Sequence, residues 1–446
     1  MIRQTYLQDS RPWVIGFSGG KDSTCTLQLV WHALSQLSGD SLKKPVYVIS
    51  SNTLVESPAI VSYIQSSMGS IGDAANSDGL PISAKMVQPR INDSFWVNVI
   101  GRGYPTPSTK FRWCTDRLKI QPANRFILDQ VARFGEVILV LGVRSAESAT
   151  RAQVMAMHQI DGSQLRTHRS LLGALVYAPI ADWSTEDVWN YLLQNPITPW
   201  GTDNNDLAAM YRTADGECPL VVDTTTPSCG NSRFGCWVCT VVTRDKAMES
   251  MIDSGQWWME DLLKLRDYLA ETQTPERRKE VRSVRKLNGQ ILLKGQSNEA
   301  SPGPYTFDFC KELLERVLLV QRDLPKEAAD FELISTDELI AIRALWRSER
   351  HDWEDSVPRI YESVFNKRWF QASDVRQDNA DDAALTDEIA EKHSIPPLLL
   401  RKLIDAERKS QGLRRRSSIY KDLNSVFDRD WRDDRTISSD LAALGK

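Results

Sequence analysis

An α/β domain on a parallel sheet, carrying a cysteine-rich segment and a helical C-terminal region, is the fold class that three observations predict. Short apolar runs rich in Val and Ile, at residues 13–17, 45–50 and 136–143, are bounded by turn residues, as buried strands are. Helical spacing separates them: Leu27, Val30, Leu34 and Leu37 share one face, and Ile60, Ile64 and Met68 repeat the pattern. The first strand runs through a glycine pair directly into the first helix. Strands alternating with helices imply parallel pairing, with ligands at the carboxyl ends of the strands.

At 446 residues the chain is long enough for a full core and more than one domain. The expected divisions are 1–205 for the α/β domain, 206–255 for the cysteine-rich segment and 256–446 for the charged helical region. A net charge of −4 excludes a global field for nucleic acid, so any such contact must come from local basic patches or from partners. Met1-Ile2-Arg3-Gln4 lacks a signal-peptide pattern, and no apolar run reaches the roughly 20 residues that span a bilayer. A cytoplasmic protein with no membrane contact is expected. Seven cysteines, four of them between 218 and 239, fit a metal site in a reducing compartment better than a disulfide framework.

Taken in order, the first strand, Trp13-Val14-Ile15-Gly16-Phe17, leads into Ser18-Gly19-Gly20-Lys21-Asp22-Ser23. Glycines let backbone approach phosphate oxygens, while the positive helix end and Lys21 offset their charge, so the loop reads as an ATP site. It is not a Walker A loop, because Gly16 to Gly20 is one residue short and Asp22, not a hydroxyl residue, follows Lys21. The motif S-G-G-K-D-S resembles the pyrophosphate (PP) loop of the ATP pyrophosphatase superfamily, the adenine nucleotide alpha hydrolase-like domains. That resemblance implies that Ser18, Gly19, Gly20 and Ser23 hold the β- and γ-phosphates. It implies that Lys21 stabilises departing pyrophosphate, that Asp22 positions Mg²⁺ or the loop, and that the α-phosphorus is open to attack.

Residues 69–79 and 161–173 are polar or glycine-bearing and are expected as surface insertions or loops. After the strand ending at Gly142, Val143-Arg144-Ser145-Ala146-Glu147-Ser148-Ala149-Thr150-Arg151 puts Arg144, Glu147, Ser148 and Arg151 on the first turns of a helix. Alone, this is also an exposed helix start with a Glu147–Arg151 pair. It resembles the G-x-R-x-x-E-S-x-x-R element of the phosphoadenylylsulfate reductase group, which implies that Gly142, Arg144, Glu147 and Arg151 complete the nucleotide site. The segment Tyr177 to Trp189 resembles that group's P-I-x-D-W-x-x-x-D-V-W and reads as structural, with Ser184 or Thr185 capping a helix while Trp183 and Trp189 pack. In Phe111-Arg112-Trp113-Cys114-Thr115-Asp116-Arg117-Leu118-Lys119, positive charge from Arg112, Arg117 and Lys119 is expected to lower the Cys114 pKa. That would make its thiolate a sulfur carrier; a buried structural cysteine is the equal alternative.

Cys218-x10-Cys229-x6-Cys236-x2-Cys239 supplies four thiolates for a tetrahedral site. Zn²⁺ and a [4Fe-4S] cluster both satisfy that ligand set, and the sulfur-family context favours iron–sulfur. Together with Phe95 to Pro105, these motifs make residues 10–265 resemble the DndC-type (SspD-like) ATP pyrophosphatase subunits of bacterial DNA phosphorothioate modification systems. The resemblance implies ATP pyrophosphatase and sulfurtransferase activity, with a cysteine desulfurase as sulfur source and the other modification subunits and DNA as partners. A sulfonucleotide reductase, a tRNA thiolase and a non-enzymatic scaffold are the rival readings. Farther on, 276–286 and 408–416 are dense basic runs, for which interleaved or neighbouring acids favour a solvated face over phosphate contacts. Residues 295–304 read as a linker, and 386–407 as a small helical docking unit.

Overall fold

The computed structural model describes every residue except 148–152, 154, 155, 161, 215–234, 287, 288, 294–299, 329, 330, 370–379, 412–417, 445 and 446. The chain divides into two compact units, Met1–Phe95 with Pro107–Arg266, and Trp96–Thr106 with Asp267–Lys446.

In the first unit, strands β1 (Trp13–Gly16), β2 (Val46–Ser51), β3 (Ile82–Val87), β4 (Val137–Val140), β5 (Leu165–Thr167) and β6 (Ala174–Tyr177) form one sheet in the order β3-β2-β1-β4-β6-β5. All neighbours pair in parallel except β5, which runs antiparallel to β6 at the edge. Every residue of β1 and β4 is buried, which the alternation of their side chains explains. Trp13 and Ile15 face one core with Leu27, Val30, Leu34, Ile64 and Met68, supplied by α2 (Lys21–Ser35) and α3 (Pro58–Ser77). Val14 and Leu139 face the other with Ala123 and Ile127 of α4 (Gln121–Phe134). The short N-terminal α1 (Ile2–Leu7) brings Tyr6 edge-on to Trp13, with ring centroids 5.2 Å apart.

Chain order and sheet order reverse between β1 and β4. β2 and β3 lie on one side of β1, and the chain then crosses to β4 on the other side. Such a switch point opens a crevice at the carboxyl ends of the two central strands.

One expected loop is helical instead, and the other holds a short edge strand between loop residues. Residues 69–77 continue α3, because Ile71 and Ala75 remain fully buried on its inner face and hold the helix through Gly69 and Gly72. The 161–173 stretch contains β5, a three-residue edge strand too short to leave an alternation signal. Among the described residues, no helix is long and apolar enough to cross a membrane.

The second unit is helical, with helices Phe307–Arg322, Thr336–Leu345 and Ser356–Phe365 carrying most of its core. Its inserted segment is held by indole donors: Trp96 Nε1 donates to the Leu333 carbonyl at 2.6 Å, and Trp346 Nε1 donates to the Ile100 carbonyl at 3.0 Å. The described part of the expected linker, residues 300–304, is ordered against 282–286. Ser283 N donates to Pro304 O at 2.9 Å, and Arg282 pairs with Tyr305 in antiparallel register. Proline and glycine here shape a β-like ladder.

Candidate functional site

The glycine loop follows β1 at the switch point. Gly19 takes φ +71°, which L side chains adopt at a cost, and a Cβ there would sit 2.9 Å from Cε1 of Tyr63. Hydroxyls close the turn: Ser18 N donates to Ser23 Oγ at 3.2 Å, Gly20 N to Ser18 Oγ at 3.4 Å, and Ser23 Oγ to Gly20 O at 2.9 Å. Gly20 is the N-cap of α2, so the first-turn amides and the positive helix end lie beside the loop. Gly16 pairs with Ile49, and the chain beyond them brings the end of β2 level with the loop. There the Ser50 and Ser51 hydroxyls are buried without a hydrogen-bond partner, polar capacity that a nucleotide would use.

Beneath the loop lies a buried charge cluster. Lys21 and Arg144 are each 1% exposed, although such cations are seldom fully buried without partners. Lys21 Nζ contacts Asp22 Oδ2 at 2.9 Å, and Arg144 Nε donates to Asp22 Oδ1 at 2.6 Å. Asp22 therefore bridges both cations with its two oxygens. Gly142 makes the arrangement sterically feasible, since a Cβ there would lie 2.6 Å from the Asp22 carbonyl oxygen.

The structure thus brings together Ser18, Gly19, Gly20, Lys21, Asp22, Ser23, Gly142 and Arg144. Glu147 ends a short 3₁₀ turn, Ser145–Glu147, and its side chain lies outside the described residues, as do Ser148 and Arg151. Arg144, implied as part of the nucleotide site, donates to Asp22 Oδ1 and to Thr185 Oγ1 at 3.1 Å, contacts that hold it beside the loop. Ser184 caps the helix Thr185–Gln194 through a reciprocal box with Asp187, which leaves the Thr185 hydroxyl for Arg144.

Tyr211 belongs to the site without any signal in local spacing. Its hydroxyl accepts from Lys21 N at 3.2 Å, and Lys21 Nζ lies 5.5 Å from its ring centroid. Trp189 packs edge-on against Tyr211 at 5.2 Å, so the Trp-rich segment supports the loop through that ring.

A second cluster forms around three cysteines. Cys236 is joined to the chain after β2: Glu56 and Cys236 form a β-bridge, Ser57 N donates to Gly235 O at 3.1 Å, and Trp237 N donates to Val55 O at 3.0 Å. Thr53 Oγ1 lies 3.3 Å from Cys236 Sγ, and Cys239 N donates to Cys236 O at 3.0 Å, a tight turn across the C-x-x-C pair. Burial, with negative charge at Cys239 adding to it, pushes the Cys114 thiol up to about 11 against the opposing Lys119. The expected lowering by basic neighbours does not occur, because desolvation outweighs one lysine. Burial also pushes Cys236 up to about 12; Glu56 and Cys114 add to it, while Lys119 and Thr53 oppose it. Cys114 therefore feels the charge of Cys239, and Cys236 that of Cys114. Cys218 and Cys229 lie outside the described residues, and among those described no group of three or more His, Cys, Asp or Glu is set to hold a metal ion.

The chain is 29% identical over 194 residues to uncharacterized protein MJ0066 of Methanocaldococcus jannaschii, covering 43% of this chain and 34% of that protein. It is 35% identical over 94 residues to the uncharacterized 37.8 kDa protein in the gpa 5'region of Escherichia phage 186, covering 21% and 26%. It thus spans about a third and about a quarter of the lengths of these relatives. Among solved structures, phosphoadenylyl-sulfate (PAPS) reductase from Candida auris, a phosphate complex, aligns with TM-score 0.30 and 15% identity over 47% of this chain and 82% of that one. U34-tRNA thiolase NcsA from Methanococcus maripaludis, with its [4Fe-4S] cluster, aligns with TM-score 0.28 and 10% identity over 61% and 78%. The model of the phosphoadenosine phosphosulfate reductase domain matches residues 12–241, more than half of the chain, and the protein belongs to that family.

Proposed function

We propose that this protein is the ATP pyrophosphatase of a DNA phosphorothioation system, adenylating a backbone phosphate so that sulfur can replace one of its oxygens. The observation that carries the reading is the buried Lys21–Asp22–Arg144 bridge under a glycine loop at the switch point. Loop amides, helix end and Lys21 supply positive potential for a pyrophosphate leaving group. Asp22 and Arg144 hold that lysine in place. A nonbridging phosphodiester oxygen attacks the α-phosphorus of ATP, the bond to pyrophosphate breaks, and the electron pair leaves with pyrophosphate. The terminal sulfur of a persulfide, supplied by a cysteine desulfurase, then attacks the DNA phosphorus and AMP leaves. A second thiol attacks the carrier sulfur of the resulting S–S–P linkage, so the S–S bond breaks, a disulfide forms and the phosphorothioate is released. Without adenylation the oxygen would be a poor leaving group.

Soft thiolate donors suit an iron–sulfur cluster or zinc. Cys236 and Cys239 in their tight turn, with Cys218 and Cys229 from the same segment, would hold the group, and the half-buried Cys114 is a further donor in reach of their charge. A [4Fe-4S] cluster bound there would supply sulfur-binding and redox chemistry. Iron and acid-labile sulfide analysis of anaerobically purified protein, beside Cys236→Ser, distinguishes it from zinc.

The deciding experiment incubates the protein with ATP, Mg²⁺ and duplex DNA and separates the products. AMP and pyrophosphate, lost in Lys21→Ala, are expected; ADP and phosphate would refute the mechanism. Family membership favours a second reading, sulfonucleotide reduction, whose product would be sulfite from a sulfonucleotide and a thiol reductant. Against it, Cys310 is buried in helix Phe307–Arg322 and unsuited to redox exchange.

A further inference from the structure

The second unit gathers cations from segments far apart in sequence. Arg282, Arg285 and Lys286 lie on the ladder that pairs Arg282 with Tyr305 and Arg285 with Ile291. Arg350 follows helix Thr336–Leu345 and donates to the Tyr305 carbonyl at 3.4 Å, which places it at the same ladder. Arg429 follows helix Ile419–Phe427, and its Cδ lies 3.8 Å from where a Cβ on Gly289 would be, at the ladder's turn. Lys402, on helix Pro397–Ser410, sits with its ammonium 5.4 Å from the Trp431 ring centroid.

Carboxylates near this group are committed elsewhere. Asp434 pairs with Arg285, Asp430 and Asp440 pair with Arg432, and Asp405 binds His351 and Trp353. Arg282 and Lys286 donate to the carbonyls of 302 and 303 and to the Ser301 hydroxyl, and Arg350 to the carbonyls of Arg102 and Tyr305. Among the described residues, no carboxylate forms an ion pair with Arg282, Lys286, Arg350, Lys402 or Arg429. The consequence is visible at Lys402: burial lowers its pKa to about 8, with Arg429, Arg350 and Arg285 adding to the shift. Close cations without anions of their own are costly, and an external anion relieves that cost.

We propose that Arg282, Lys286, Arg350, Lys402 and Arg429 form a phosphodiester-binding surface on which the second unit holds the backbone of duplex DNA. The spread of these cations over a ladder, one helix and the ends of two others matches a run of phosphates better than one small anion. Trp431 beside Lys402 adds an aromatic face of the kind found at nucleic-acid contacts. Only the choice of duplex DNA as the polyanion rests on the proposed function.

The test is fluorescence anisotropy of the full-length protein with a labelled duplex across a salt series, with thermal melts checking the fold of each variant. In Lys402→Gln/Arg429→Gln, losing two phosphate contacts lowers the slope of log K against log salt by about 1.8. Affinity falls about tenfold or more at the lowest salt, Lys402→Arg largely restores it, and Arg316→Gln, an exposed cation paired with Glu312, leaves it unchanged. A double variant that is folded and binds with wild-type affinity and slope overturns the proposal. So does a wild-type protein that takes up inorganic phosphate but no duplex. Product analysis separates the two readings: DNA binding lost in the double variant, with no AMP formed by the wild type, leaves the surface standing and removes the adenylation mechanism. AMP formation with unaltered binding removes the surface alone.

Discussion

Asp22→Asn keeps the shape of the side chain and deletes the charge that Lys21 and Arg144 share. Both cations are 1% exposed, so the change removes one partner from a buried ionic cluster, which costs about 3–5 kcal/mol. The lower end applies, because the Asp22 side chain is 16% exposed and water offsets part of the loss. At about 2–4 °C per kcal/mol for a domain of this size, roughly 3 kcal/mol lowers the melting temperature by about 6–12 °C. Lys21→Met makes the contrast. It leaves Asp22 paired with Arg144 and fills the lysine stem with apolar volume, so about 1 kcal/mol or less is expected. Turnover should nevertheless fall by about 10² or more, because the charge facing the leaving group is gone. Differential scanning calorimetry with and without pyrophosphate reads both. Pyrophosphate should raise the Asp22→Asn melting temperature more than that of the wild type, since the anion replaces the missing charge. An Asp22→Asn protein melting within about 2 °C of wild type, or a Lys21→Met protein destabilised as much, would refute the bridging role.

Gly142→Ala should cost about 1–3 kcal/mol in urea unfolding, because its Cβ would sit 2.6 Å from the Asp22 carbonyl oxygen and its two nearest neighbours are main chain. Burial pushes the Cys114 thiol up to about 11. Against an unfolded value of about 8.5, its thiolate fraction at pH 7.5 falls on the order of 10²-fold, and iodoacetamide should label it that much more slowly in the native metal-free chain than in urea. Equal rates would show that the thiol is not buried. Burial would raise the Asp9 pKa, but hydrogen bonds from Arg11 and the charge of Lys44 outweigh it and hold the carboxyl below its ordinary range. Its folded pKa is depressed, so its contribution is present above the unfolded value of about 3.9 and is lost as pH falls through the folded one. Asp9→Asn should therefore lower stability at pH 6 and converge on wild type in acid melts.

The parts legible in the sequence are those whose signal is local. β1, β2 and β4 are continuous apolar runs because both their faces are buried, and the loop is spelled out between β1 and α2. β3 was not legible, since an edge strand with Lys85 and Met86 exposed breaks the apolar run. Gly69 and Gly72 misled because a glycine reads as a break only where no buried face overrides its propensity, and Ile71 supplies one. Tyr211 stands 190 residues from Lys21 and meets it only through the fold. The expected lowering of the Cys114 pKa failed for a different reason. Sequence shows which charges neighbour a thiol but not how much water reaches it, and desolvation decides the sign of the shift.

The Asp22 bridge also bears on how the two halves of the site depend on each other. The loop after β1 and the turn after β4 come from strands far apart in the chain, and each is held by contacts of its own. A single carboxylate, bonded at 2.6 Å to Arg144 and 2.9 Å to Lys21, joins them across the switch point. Arg144 is in turn fixed by Thr185, and the Lys21 amide by Tyr211. A phosphate group drawing Lys21 toward itself would weaken the Lys21–Asp22 contact and leave Asp22 more fully to Arg144. Nucleotide occupancy and the setting of the β4 turn are then linked through one side chain. Loss of Arg144 should therefore weaken pyrophosphate binding without any direct contact between arginine and phosphate.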